Sequence, residues 1–533
     1  MKKIQFKAIC LLGLALVFTS CNKDLDQGPL DPHIYTGEAF YAQPGAYKQA
    51  LAGVYGNLAL TGTSGAGDSF LQGVDAGTSQ YGRCLWYLQN LTTDEVIWSY
   101  ENDPGTKELQ RNIWTASNPV ILGMYSRTMA EVALANDYLK QTSDDKLNSR
   151  GVTDPTLLGE IALYRNEVRV LRALAYYNMM DLFGKAAFVT ENDVVGVPGP
   201  EYNRTQLFNF IESELNAVMP SLKPAHTNEY GRVDQGVAHM ILAKIYLNSE
   251  VYTGVDRYAD CVTQCNAIIS AGYTLNANYL NNFKADNNNS PEIIFAIESD
   301  GVVTQNYGPT TVMINGEVGS LEGNGVSLGV GSGGWGGALR LRKQFVQKFD
   351  GSDFATDARK TIISGTRSID INDIADRDQG YILAKYSNKT SGGVSGINST
   401  FVDTDFPMFR LADVYLMYAE CAARGASGAS MAQAVTYVNA LRERANNGSQ
   451  VANVSASNIT LDFIIDERAR ELHWEGHRRQ DLIRFGKFTG GAYNWAWKGN
   501  GSNGIAISNN LKVFPIPNSS LGANQNLTQN PGY

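Results

Sequence analysis

Two histidines one helical turn apart, His473 and His477, bracket Glu475 in the run H-W-E-G-H, the nearest approach to catalytic metal chemistry in this 533-residue chain. A zinc-protease helix needs H-E-x-x-H, with the glutamate directly after the first histidine so that its carboxylate reaches the metal-bound water. Trp474 holds that place, so the resemblance to a zinc helix is superficial. Cys261 and Cys265 are also one turn apart, but no histidine or second cysteine pair follows at zinc spacing. No metal and no cofactor are expected. Around the histidines, Glu467, Glu471, Glu475 and Asp481 alternate with Arg468, Arg470, Arg478, Arg479 and Arg484, the mixture that helix-surface or interhelical ion pairs require. No nucleophile elbow, P-loop or dinucleotide fingerprint is present, and the glycines of residues 329–337 follow no clear strand and precede no Lys-Ser/Thr pair. A glycosidase's carboxylate pair has no fixed spacing in sequence, so that reading stays open.

Binding chemistry is the better fit. The segment GVGSGGWGG strands Trp335 among glycines with no apolar periodicity around it, a setting that suits a ligand contact better than a core position. Residues 60–82 and 300–338 are rich in Gly, Ser, Thr and Asn. Loops of that length in a compact protein are usually functional, which places the binding site there.

The elements that must carry these loops are helices. Ile161, Tyr164, Val168, Leu171, Ala175, Met179 and Leu182 recur at steps of three and four and predict a long amphipathic helix ending at Gly184. Shorter stripes follow through Leu207, Ile211, Leu215 and Val218, through Val237, Ile241 and Ile245, and through Tyr258, Val262, Cys265 and Ile269. A later block holds a helix over residues 411–423, another through Met431, Val435, Val438 and Leu441, and an Arg/Glu-laced helix from Leu461. Helical hairpins spaced in this way suggest tetratricopeptide-like units, although the period alone is too degenerate to establish them. Cys265 and Cys421 fall on apolar stripes, so these cysteines read as small buried hydrophobes.

At the start of the chain, Lys2, Lys3 and Lys7 precede an apolar stretch over residues 9–18, too short to span a bilayer and followed by small residues. This is the layout of a secretory signal peptide over residues 1–20. Thr19 and Ser20 directly before Cys21 resemble a bacterial lipobox, with Phe18 where Leu or Val is usual. Lipid modification of Cys21 implies a membrane anchor on an otherwise soluble body. Removing residues 1–20 removes three lysines and no acid, which takes the formal charge from −9 to −12. Nucleic acid is therefore not an expected partner.

One combination of motifs is more specific than any of these. The run DERARELHWEGHRRQDLIRFGK over residues 466–487, followed by the closing FPIPNSSLGANQNLTQNPGY, resembles the SusD/RagB family of outer-membrane nutrient-binding lipoproteins. VLRALAYYNMMDLFGKAAFV (170–189), YLNNFKADNNNSPEIIFAI (279–297) and FPMFRLADVYLMYAEC (406–421) extend the resemblance over nearly the whole mature chain. It implies a single, mostly α-helical fold of residues 21–533, in which about four tetratricopeptide-like hairpins, mainly in 155–275 and 405–490, support loop-rich binding regions near 60–105 and 300–340. LTTDEVIWSYEND (91–103), DGVVTQNYGPTTVMINGEV (300–318) and YNWAWKGNGSNG (493–504) look most like the family's founding, starch-binding member.

That likeness implies an arc of three aromatics, Tyr100, Tyr307 and Trp335, following the curve of an α-glucan, with Asp75, Arg83 and Asp103 bonding sugar hydroxyls. Tyr100 departs from a Trp and Asp103 from an Asn in the family's pattern, a smaller stacking ring and a charged acceptor that point to a lower affinity or a different glucan. Trp98 lies beside the motif, either supporting the arc or packing in the core. By the same likeness, Asp24 and Asp26 after Cys21 resemble an export signal to the cell surface, and the partner is a SusC-like TonB-dependent barrel that the binding protein covers as a lid. The alternatives are the same architecture with another glycan or a peptide as ligand, and a surface glycosidase.

Overall fold

The computed structural model describes residues 36–533; Cys21, the signal segment, Asp24 and Asp26 lie outside the described residues. Helix Pro155–Phe183 begins where Asp154 accepts the Thr156 N–H at 3.0 Å and Pro155 presets the first turn. It ends where Gly184 turns left-handed at φ 71°. Helix Pro119–Gln141 packs on it from one side and Arg204–Val218, opened by an Asn203/Gln206 capping box, from another. Gln235–Leu247 then pairs with Tyr258–Ser270, which packs on Leu411–Ala423, and that helix packs on both Met431–Ala445 and Leu461–Leu472. The result is a mostly helical, single fold of successively packed helices around one dominant core, with two small satellite clusters beside it.

Several elements differ from the sequence-based expectation. Ala46–Ala59 and Pro119–Gln141 add two helices ahead of residue 155. Within the loop-rich regions, residues 81–91 are helical and Pro309–Gly316 forms two fully buried turns. On Tyr258–Ser270 it is Ile268, not Ile269, that is fully buried. The Arg/Glu-laced helix is two helices, Leu461–Leu472 and Arg478–Arg484, because the chain leaves the helix at His473 and Trp474 adopts φ 62°. Burial of Trp474 and the reach of Glu475 to Arg410 and Lys385 stabilise that break.

The charges of this segment lie in the core, not on a helix surface. Glu471 accepts from Arg410 at 2.8 Å, from Arg359 at 3.1 Å and from Arg444, all of them buried. Glu467 accepts from Arg359, Arg442 and Arg470; burial alone would raise its pKa, but the three guanidiniums outweigh burial and hold it at about 2. His473 directs Nδ1 at the Arg470 carbonyl, 3.0 Å away. His477 contacts Lys244 at 3.1 Å, and burial pushes its pKa down to about 3, leaving a neutral ring at pH 7. The two histidines are structural groups with separate partners. Cys84, Cys261, Cys265 and Cys421 are unoxidised and buried, and burial raises the Cys84 thiol to about 12.

Among the described residues, four two-stranded antiparallel sheets pair separate segments of the chain. One of them matters most for function: Val96–Trp98 pairs with Leu339–Leu341 in the register Val96↔Leu341 and Trp98↔Leu339. Every residue of both strands is buried.

A second kind of buried acid makes stability depend on pH in the opposite sense. Glu131 has the Asn57 amide at 2.8 Å and no cation, and burial raises its pKa from 4.5 to about 8. The folded protein therefore holds a proton that the unfolded chain releases near 4.5, so this contribution erodes as pH climbs through 8. Glu131→Gln keeps the neutral shape. Thermal unfolding should show the variant equal to wild type at pH 5 and higher by about 1–3 °C at pH 9; equal curves at both values would show that Glu131 ionises without cost.

Candidate functional site

The paired strands bring the two loop-rich regions side by side. Beyond Trp98 the ladder continues with Ser99 N–H donating to the Ala338 carbonyl at 2.8 Å, so Tyr100 and Trp335 leave the sheet on the same edge. Trp335 N–H donates to the Asn315 carbonyl at 2.9 Å, which ties the glycine-rich loop to the end of helix Pro309–Gly316. Tyr307 stands just ahead of the same helix, and Phe401 fixes its ring edge-on at 5.1 Å. One short buried helix therefore positions two of the three aromatics.

The glycines around Trp335 are a packing requirement. Gly334 has φ 42°, and a Cβ there would lie 2.4 Å from a Val318 methyl and 2.7 Å from the Asn315 carbonyl. Gly337, at φ 75°, donates its N–H to the Val318 carbonyl at 2.6 Å. The loop is pressed against its support, and Trp335 alone projects.

Tyr100, Tyr307, Trp335, Trp98, Arg83 and Asp103 converge with Gly77 on one cavity of about 310 Å³. Trp98 is only 2 % exposed and forms the base, edge-to-face with Tyr100 at 5.9 Å and with Trp335 at 6.1 Å. It both supports the arc and packs in the core. Its indole N–H donates to Asp103 Oδ2 at 2.8 Å, and the other Asp103 oxygen has no partner among the described residues. Arg83 is buried in the wall, donating to the Tyr87 hydroxyl at 2.8 Å and to the Gly77 carbonyl at 3.4 Å. Asp75 is the exception. It does not line the cavity, and its Oδ1 takes the Thr78 N–H at 2.7 Å and the Thr78 hydroxyl at 2.8 Å, shaping the turn that presents Gly77. That backbone bond also lowers the Asp75 pKa.

Sequence reasoning missed Arg377, which donates to the Tyr100 hydroxyl and to the Gly336 carbonyl, each at 3.2 Å. It sits in an acidic stretch with no spacing relation to the aromatics, and no signal in the chain singles it out. Phe401 was missed for the same reason.

Half-exposed aromatic faces beside a buried guanidinium and an open carboxylate oxygen suit a ligand with an apolar face and a polar rim. Among the described residues no cluster of three His, Cys, Asp or Glu could hold a metal ion, and none of their helices is long and apolar enough to cross a membrane. The SusD family model matches residues 342–533. The starch-binding protein SusD of Bacteroides thetaiotaomicron is 33% identical, with the alignment covering 100% of this chain and 99% of that protein. The chain belongs to the SusD family. A SusD-like protein of Bacteroides ovatus is 23% identical over 91% of this chain and 83% of its own length. Among solved structures, a SusD homologue from Bacteroides thetaiotaomicron superposes with a TM-score of 0.72 at 20% identity, covering 94% of this chain and 99% of that one. Surface glycan-binding protein A of the same organism, in complex with laminarihexaose, superposes at 0.67 with 21% identity, covering 91% and 98%. Both share the SusD fold. Family membership makes the chain a binding protein and not an enzyme.

Proposed function

We propose that the protein is a lipid-anchored component of the outer-membrane surface that captures an α-glucan, starch or malto-oligosaccharide, in the Tyr100–Tyr307–Trp335 cavity. It then delivers the ligand to a SusC-like TonB-dependent barrel. The observation that carries this reading is the convergence of those three aromatics with Arg83 and Asp103 in one cavity, in a chain aligned end to end with a starch-binding protein. The apolar C–H face of a pyranose stacks on aromatic rings, while its hydroxyls need the guanidinium donors and the free Asp103 oxygen. Such a site gives modest affinity per sugar and gains from chain length. Asp75 acts, in this reading, through the turn that presents Gly77.

A second reading, a glucan of another linkage, is favoured by the charged acceptor at Asp103 and by the smaller ring at Tyr100. Native electrophoresis through gels holding amylopectin, laminarin or hydroxyethylcellulose separates the two. Retardation by amylopectin alone is expected; retardation by laminarin alone would transfer the site to the second reading, and free migration in all three gels would count against both.

The anchor is proposed at Cys21, after removal of residues 1–20. Radiolabelled palmitate should enter the wild-type protein and sediment with outer membranes, while Cys21→Ser stays unlabelled. Equal labelling of the two would refute the assignment.

A further inference from the structure

We infer that Tyr100 serves the cavity through its hydroxyl as well as its ring: together with Arg377 it latches the glycine-rich loop and fixes the presentation of Trp335. This inference rests on the cavity being the ligand site proposed above. The Tyr100 hydroxyl donates to the backbone carbonyl of Trp335 at 2.7 Å and accepts from Arg377 Nη1 at 3.2 Å. The same nitrogen donates to the Gly336 carbonyl at 3.2 Å, so two consecutive peptides of the loop are held from one point. The guanidinium also lies over the Tyr100 ring, 5.8 Å from its centroid.

The rest of the loop explains why such a device matters. From Gly333 to Gly337 the only side chain is the indole of Trp335, and glycine carries the largest conformational entropy to be lost on ordering. The loop's other anchors outside itself, to the Asn315 and Val318 carbonyls, are backbone bonds. On the ligand side, Tyr100 and Arg377 supply the restraint.

Arg377 is itself held firmly although its side chain is exposed. Its carbonyl accepts from Arg367 at 2.8 Å and from the Ser320 hydroxyl at 2.9 Å, and Arg367 is paired with Glu322 at 2.8 Å. Buried Arg340 donates to the carbonyls of Ile374, Asp376 and Gln379 on either side of it. The segment is thus pinned at four backbone carbonyls by two arginines, and Arg377 is a positioning residue built on that frame. A preorganised Trp335 spares the ligand the ordering of a glycine loop on binding.

Tyr100→Phe decides the matter, because it keeps the stacking ring and removes only the hydroxyl. The full-length protein carrying 5-fluorotryptophan at its seven tryptophans gives a fluorine NMR spectrum in which Trp335 is assigned by its loss in Trp335→Phe. In ligand-free Tyr100→Phe and Arg377→Ala the Trp335 resonance should shift and broaden, and maltoheptaose should bind each about three- to tenfold more weakly, as expected for one lost hydrogen bond. An unchanged Trp335 resonance in Tyr100→Phe overturns the latch, and so does wild-type affinity in a variant whose resonance has moved. If the wild-type protein binds no α-glucan, the substrate reading fails, and the ligand-free fluorine spectrum still decides the latch by itself.

Discussion

Glu471→Ala should cost the protein about 3–5 kcal/mol, because it removes from the core a carboxylate shared by three buried guanidiniums and leaves the cluster with one negative charge fewer. Arg359, Arg410 and Arg444 all converge on Glu471, and all three are buried. Arg359 keeps Asp357 and Glu467 and Arg410 keeps Glu292 and Glu475, but Arg444 is left with Glu292 alone, at 2.9 Å, an acid it shares with Arg410. Native stability is commonly about 5–15 kcal/mol, so the loss is a large share of the whole. The network also spans the fold: Glu292 lies beside strand Ile293–Ile297, Arg410 ends strand Phe406–Arg410, Arg444 comes from helix Met431–Ala445 and Glu471 from Leu461–Leu472. Urea unfolding followed by tryptophan fluorescence should show a much lower midpoint or no soluble protein, while exposed Asp145→Ala stays within about 0.5 kcal/mol of wild type. A wild-type midpoint in Glu471→Ala would mean that the cluster relaxes to admit water and does not hold the hairpins together.

The second large effect concerns the ligand. Trp335→Ala removes the one side chain that projects from the glycine-rich loop, and Tyr307→Ala removes the ring that Phe401 holds edge-on. Aromatic groups at the centre of a small contact commonly carry 2 kcal/mol or more, so each variant should weaken α-glucan binding by about 30-fold or beyond. At the modest affinity of a stacking site, that is loss of detectable binding. Neither ring is a fully buried part of the core, so thermal unfolding should remain close to wild type, and the loss of binding is then attributable to the site. Retained binding in both variants would remove the aromatic arc from the account.

Which parts of this molecule are legible in its sequence follows from which forces act locally. Helix Pro155–Phe183 is readable up to its Gly184 cap because apolar period, N-terminal Asp-Pro and C-terminal Gly coincide. Leu411–Ala423 matches its expected range at both ends. Ala46–Ala59 carries the stripe Tyr47, Leu51, Val54 and Leu58, but Gly53 and Gly56 dilute it. The break at residues 473–477 has only a weak local signal, Gly476, which adopts φ 80°; tertiary contacts of Trp474 and Glu475 override an otherwise good helical pattern. The alternation of Arg and Glu correctly indicates ion pairs and says nothing of their burial, since charge order along a helix is the same for a surface and for a satisfied polar core.

The site has a similar division. Tyr100 and Trp335 lie more than 200 residues apart and become neighbours through the Val96–Trp98 pairing with Leu339–Leu341, while helix Pro309–Gly316 places Tyr307 beside them. Family resemblance names them; spacing does not. Asp75 was named by the same route and turns out to shape a turn behind Gly77. Arg377 is visible only in three dimensions, because its role depends on carbonyls it touches and not on any pattern in the chain.

The most direct test of the central claim is calorimetric titration of the mature protein with maltoheptaose, alongside cellohexaose and a mixed peptide pool. Saturable heat with maltoheptaose alone is the predicted result. Saturable heat with cellohexaose or peptide and none with maltoheptaose would contradict α-glucan capture while leaving the protein in its family.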